Sequence, residues 1–201
     1  MTDGAGFLAP AEPDDAAEAL FAEDLDERGF VMNVSRLWAY DARALEQIFG
    51  VARRVARDAG LSIRHRMLVV LATSAARDSA YCSLAWVTKL PDELPPATAA
   101  AVVRGDDRPR GLDEAEVALV RWARSVASRP AATTAADVDA LRTAGWTDGQ
   151  VFAITVFAAL RLAFASVNDA LGALPDPELE PLAPRALKQA LDHPFLRRSR
   201  S

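Results

Sequence analysis

Cysteine is almost absent from this chain. The 201 residues contain one, Cys82, which excludes an intrachain disulfide and any multi-cysteine metal site. The two histidines, His65 and His193, stand too far apart for a local metal motif, so no metal is expected, and no residue pattern calls for a cofactor. Clustered positive charge is scarce as well. The net charge is −5, and the one basic cluster, Arg197, Arg198 and Arg200, sits at the C-terminus and reads as a solvated tail. Phosphate-backbone binding needs clustered Lys and Arg, so no nucleic-acid partner is expected. The opening stretch MTDGAGFLAPAEPDD lacks the basic start and apolar run of a signal peptide. The longest apolar stretch is interrupted by Arg161, so no segment of bilayer-spanning length and no membrane partner are expected. Cytoplasmic residence is the matching expectation.

Hydrophobic residues make up 51% of the chain and charged ones 25%. Such a chain can fill one core without staples and still leave apolar surface for subunit contacts, so a homo-oligomer is expected. Residues 1–14 are rich in Gly, Pro and acid and carry no periodic apolar face, which predicts a loose arm. The helical domain is expected over 15–175. A C-terminal extension, 176–201, should hold a short helix (RALKQAL) and the basic tail.

Within the domain the periodicity is helical throughout. Asp41 precedes the apolar series Leu45, Ile48, Phe49, Ala52 and Val55, and Gly60 closes it, the pattern of a capped amphipathic helix with a left-handed glycine. Ser62 opens a second helix whose body at 67–76 is apolar nearly all round, predicting a helix through the middle of the fold. A third runs from Tyr81 to Leu90, before Pro91. The Pro-rich connector 91–111 carries one helical piece at 97–103. Capping boxes are legible at Asp113 with Glu116, Thr134 with Asp137, and Thr147 with Gln150. The last opens a long helix that ends at Gly172. Six or more helices with no convincing strand predict an all-α domain.

Three segments, GFVMNVSRLWAYDARALEQIF at 29–49, RMLVVLATSAARDSAYCSLAW at 66–86 and the long run at 112–172, together resemble the alkylhydroperoxidase D and carboxymuconolactone decarboxylase families, specifically the peroxidase-related branch. The resemblance implies an alkylhydroperoxidase D-like helical domain. It also implies a site in which the core helix supplies a glutamate, the following turn a Cys-x-x-Cys pair, and the next helix a histidine. In this chain Met67 stands at the glutamate position, Ser79 at the first cysteine, Cys82 at the second and Trp86 at the histidine. A lone thiol cannot complete an internal dithiol–disulfide cycle, and Met67 and Trp86 cannot transfer protons.

Several side chains carry alternative readings. Cys82, near a helix N-terminus, is a reactive thiolate or a small apolar core residue. Ser79 reads as an N-cap. Met67 and Trp86 either fill the core or wall an apolar, ligand-receptive cavity. His65, between Arg64 and Arg66, is either a base titrating near neutrality or an inert surface residue. Asp78 reads as structural, beside Arg77 or an arginine of a neighbouring subunit. Arg161 must reach solvent, an acid or a subunit interface, and Asp169 lies about 12 Å further along the same helix. Three functions follow: a non-redox ligand-binding protein or pseudoenzyme; a one-cysteine, peroxiredoxin-type peroxide reductase using Cys82; or a hydrolase, lyase or isomerase on a small carbonyl compound, with His65 or Tyr81 transferring the proton.

Overall fold

The computed structural model describes residues 6–191, which contain eleven α-helices, one 3-10 turn at Pro130–Ala132 and no strand. The helices begin where side chains can satisfy the free backbone donors of a first turn. Asp14 caps α1 (Asp15–Arg28), Asp41 caps α3 (Ala42–Asp58) and Ser62 caps α4 (Ile63–Ala75). Full capping boxes open α7 (Glu114–Ser128), α8 (Ala135–Thr143) and α9 (Asp148–Ala170), at the three residue pairs read from the sequence. The box at α7 does a second job. Glu116, buried, also accepts from Arg64 on α4, which additionally donates to the carbonyls of Glu93 and Gly111. The Arg64–Glu116 pair thereby ties the core helix, its neighbour and the connector between them.

The remaining helices are α2 (Asn33–Trp38), α5 (Ala80–Lys89), α6 (Pro96–Arg104), α10 (Leu179–Leu182) and α11 (Arg185–Ala190). Met67 to Ser74 of α4 are all buried, because α4 is covered by α5, α6, α7 and α9. Helix α9 lies across α3, α4 and α7. At 23 residues it is long and apolar enough to span a bilayer, which the sequence reading did not expect. Arg161 did not shorten the helix, and the inward face that carries it is packed within the domain.

Three segments depart from expectation. Helix α1 was not anticipated. Its apolar spacing is poor, and it forms from a strong cap, helix-favouring Ala, Glu and Leu, and the left-handed Gly29 at its end. Residues 6–14, expected to form a loose arm, lie along the body. Phe7 N–H donates to the Leu171 carbonyl at 2.8 Å, and Tyr40 Oη donates to the Ala9 carbonyl at 2.8 Å. The 176–191 part of the extension belongs to the core, with Leu179 and Leu187 fully buried and α11 packed on α6. The basic tail, Arg197, Arg198 and Arg200, lies outside the described residues, as does His193.

The arm is seated by a glycine. Gly172 has φ 75°, and a Cβ there would come within 2.5 Å of the Phe7 ring. Gly172→Ala should therefore cost about 1–2 kcal/mol in urea unfolding and expose residues 6–14 to limited proteolysis. An unchanged unfolding midpoint with the arm still protected would contradict this packing.

Candidate functional site

The cavity around Cys82 has a volume of about 400 Å³ and is walled by α1, α2, α3, α5 and α9, with Ile63 and Arg66 contributed by the start of α4. That volume lies within the usual range for small-molecule sites. Each wall follows from helical spacing. On α9, Phe157, Arg161 and Phe164 recur at i, i+4 and i+7, and all three face the cavity. On α5, Cys82 and Trp86 are one turn apart and do the same, while Phe49 of α3 completes the aromatic lining.

Arg161 dominates this space. It is 8% exposed, and its guanidinium carbon lies 5.0 Å from the Phe49 ring centroid, 5.0 Å from Phe164 and 5.7 Å from Trp86. Its one hydrogen bond among the described residues runs from Nη2 to Cys82 Sγ, 3.6 Å away, and its buried Nε has no partner. Two of the environments expected for Arg161, solvent and an acid, are not realised among the described residues. It meets neither bulk solvent nor, among the described residues, a carboxylate within ion-pair distance. The electron-rich faces of three rings surround it instead. Asp169, eight residues on, accepts from Ser79 Oγ at 3.2 Å.

That contact changes the reading of Ser79. It stands at the N-cap position of α5, yet its hydroxyl makes no cap bond, because it donates to the Asp169 carboxylate. A charged acceptor outcompetes the weaker bond to a backbone N–H. Asp78 takes φ 53° in the turn just before, a conformation Asp tolerates better than most residues. Burial raises the Asp169 carboxyl pKa, with the Ser79 hydroxyl and Arg77 acting the other way.

Cys82 is the third residue of α5 and is buried. Desolvation pushes its thiol pKa up, and this outweighs the opposing pull of the Arg161 guanidinium, while Asp169 adds to the rise. The sulfur is therefore a thiol beside a cation, not a thiolate–guanidinium pair. Among the described residues no imidazole borders it. His65 does not line the cavity; it is half-buried on the far side of α4, edge-on to Trp146 at 5.1 Å, with an unpartnered Nδ1 and a pKa lowered by burial. Tyr81 does line the cavity, but its hydroxyl donates to Asp176 in a short hydrogen bond and accepts from Val34 N–H. Burial and that carboxylate push the phenol far above its ordinary range, and burial raises the Asp176 carboxyl as well. Asp176 Oδ1 also accepts from Asn33 N–H at 2.7 Å, so the pair clamps the start of α2 to the C-terminal segment.

Of the four positions singled out by the resemblance, Cys82 and Trp86 meet at the cavity. Met67 is wholly buried in the core and Ser79 faces Asp169. Sequence reasoning missed the pairing of Arg161 with Cys82, the roles of Phe49 and Phe164, and the Tyr81–Asp176 clamp. The one available signal was the Phe157–Arg161–Phe164 spacing, which puts a cation on the inward face of an apolar helix.

No protein-family model and no curated protein sequence matches the chain. Solved structures do. An alkylhydroperoxidase D core, an uncharacterised peroxidase-related protein from Ralstonia eutropha, superposes with a TM-score of 0.76 at 25% identity, covering 87% of this chain and 94% of its own. An uncharacterised peroxidase-related protein from a Silicibacter species gives 0.67 at 20% identity, covering 89% and 97%. A cysteine-to-alanine variant of the debrominase Bmp8, in complex with 2,3,4-tribromopyrrole, gives 0.69 at 15% identity, covering 90% and 95%. The chain has the alkylhydroperoxidase D-like all-helical fold.

The geometry sets the reactivity of Cys82. Iodoacetamide should alkylate it slowly at neutral pH, with the rate rising only above the free-thiol range of about 8.5. Arg161→Met removes the cation that favours the thiolate, so the variant should react more slowly at each pH. Rapid labelling at pH 7, or faster labelling in the variant, would contradict this assignment.

Proposed function

We propose that this chain, built on the alkylhydroperoxidase D fold, is a single-thiol, non-redox ligand-binding protein and not a dithiol peroxidase. The observation that carries the reading is the company of Cys82: a guanidinium and aromatic rings line the same cavity, with no second thiol in the chain and, among the described residues, no imidazole at the sulfur. A dithiol cycle needs a resolving thiol to displace hydroxide from the oxidised sulfur, and a group to carry the proton. Ser79 and Trp86 can do neither. What remains is a cavity of ligand size with apolar walls and one buried cation, which suits binding.

A second reading is favoured by one contact. Arg161 Nη2 donates to Cys82 Sγ, so a thiolate formed there would meet a cation. In a one-cysteine reductase the deprotonated sulfur would take one oxygen from a peroxide, releasing the corresponding alkoxide or hydroxide for protonation and leaving a sulfenic acid. Two equivalents of an external thiol would then restore the cysteine, with loss of water and formation of the external disulfide. Burial of the thiol opposes this route. The carbonyl lyase or isomerase reading is weaker still, since His65 is not at the cavity and the Tyr81 hydroxyl is committed to Asp176. Among fold neighbours, the debrominase holds a small halogenated aromatic.

The deciding assay is peroxide consumption by reduced protein with excess dithiothreitol. The expected result is no turnover above that of Cys82→Ala. Sustained consumption lost in Cys82→Ala would establish the one-cysteine reductase in place of the binding reading.

A further inference from the structure

The Cys82 cavity contains a charge that has no counter-ion among the described residues. Arg161 carries a permanent cation, and its side chain is more than nine-tenths buried. Three aromatic rings attract it, but none supplies an acceptor for its N–H groups. Its one bond among the described residues goes to sulfur, a weak acceptor, and the buried Nε has no partner there. Cys82 does not balance the charge, because desolvation favours the neutral thiol. Retaining an unpaired buried cation is costly, and its head borders an open cavity, where a ligand can pair with it.

The rest of the cavity restricts what that ligand can be. Leu45, Ala52, Met32 and Phe157 make much of the wall, so the body of the ligand must be apolar. A single buried cation neutralises one negative charge. A phosphate-like dianion would bring a second charge and more acceptor oxygens than this lining can satisfy, which disfavours it. Over the whole lining the balance is positive: five residues including Arg161 are basic and three are acidic. Of the acids, Asp24 accepts from Met32 N–H and Glu27 pairs with Lys89. The exposed Arg53 adds an attractive field at the mouth.

We infer that the cavity is a binding site for a small organic monocarboxylate with an apolar body, its carboxylate held by Arg161 and its body among Phe49, Trp86 and Phe164. This rests on the ligand-binding reading above and names the chemical class that the site takes. The guanidinium fork matches a carboxylate geometrically, with Nε available as a donor. Cys82 then lies beside the carboxylate as a neutral donor.

The test uses 4-fluorobenzoate and its uncharged counterpart 4-fluorobenzamide, each titrated with the full chain and followed by fluorine NMR. The benzoate should bind at least about tenfold more tightly than the amide, the scale of one charge-assisted hydrogen bond. Arg161→Met should abolish that preference while the amide still binds, and Arg161→Lys should keep part of it. If Arg161→Met does not fold, Arg161→Gln takes its place. Equal affinities in the wild type, or a preference that survives removal of Arg161, would overturn the carboxylate assignment and leave the ligand-binding reading standing. Silence from both probes would overturn the two together.

Discussion

A permanent cation enclosed by three aromatic rings is the constraint around which this site is arranged. Moving a guanidinium out of water costs several kcal/mol, and pairing it with a carboxylate is the usual remedy. Here Phe49, Phe164 and Trp86 surround Arg161 instead. Cation–π contacts contribute about 0.5–2 kcal/mol each, enough to offset much of the desolvation but not to satisfy N–H donors. The arrangement requires three helices to converge, because Phe49 comes from α3, Trp86 from α5, and Phe164 from α9 together with Arg161 itself. Packing of α3 on α9, with the Trp38 indole donating to Asn168 further along, holds that convergence.

The chemistry of Cys82 follows from the same arrangement. A cation at 3.6 Å pulls a thiol toward ionisation, but complete burial pulls harder the other way. The acids nearby are otherwise engaged, with Asp169 accepting from Ser79 and Asp176 from Tyr81 and Asn33. Polar groups that might have formed a proton relay thus serve as fastenings between segments. The turn before α5 is tied to α9, and the start of α2 is tied to the stretch before α10. What surrounds the sulfur in the cavity is then a cation and aromatic carbon.

Much of the fold was legible because its signals are local. The caps at Asp41 and Ser62 and the boxes at Asp113, Thr134 and Thr147 each depend on residues within one turn, and each is formed as the spacing dictated. Helix α1 was missed because its apolar pattern is weak, and the seating of residues 6–14 because it depends on Gly172. At the site, the absence of a second cysteine was plain from the sequence, whereas the partners of Cys82 were not. Arg161 lies 79 residues away and Asp176 lies 95 residues from Tyr81, so neither pairing leaves a spacing signal. Ser79 misled for a related reason: a cap is a local option, and the Asp169 carboxylate that captures its hydroxyl arrives from another helix.

Arg161 is a residue kept at a cost to stability. Urea unfolding of the wild type against Arg161→Met measures this directly, since Met fills similar volume without needing donors satisfied. An unpaired buried cation predicts a variant as stable as the wild type, or more stable by about 1–4 kcal/mol. A loss of more than about 3 kcal/mol would contradict the account, for it would mean that the contacts the guanidinium makes within the folded protein more than repay its burial.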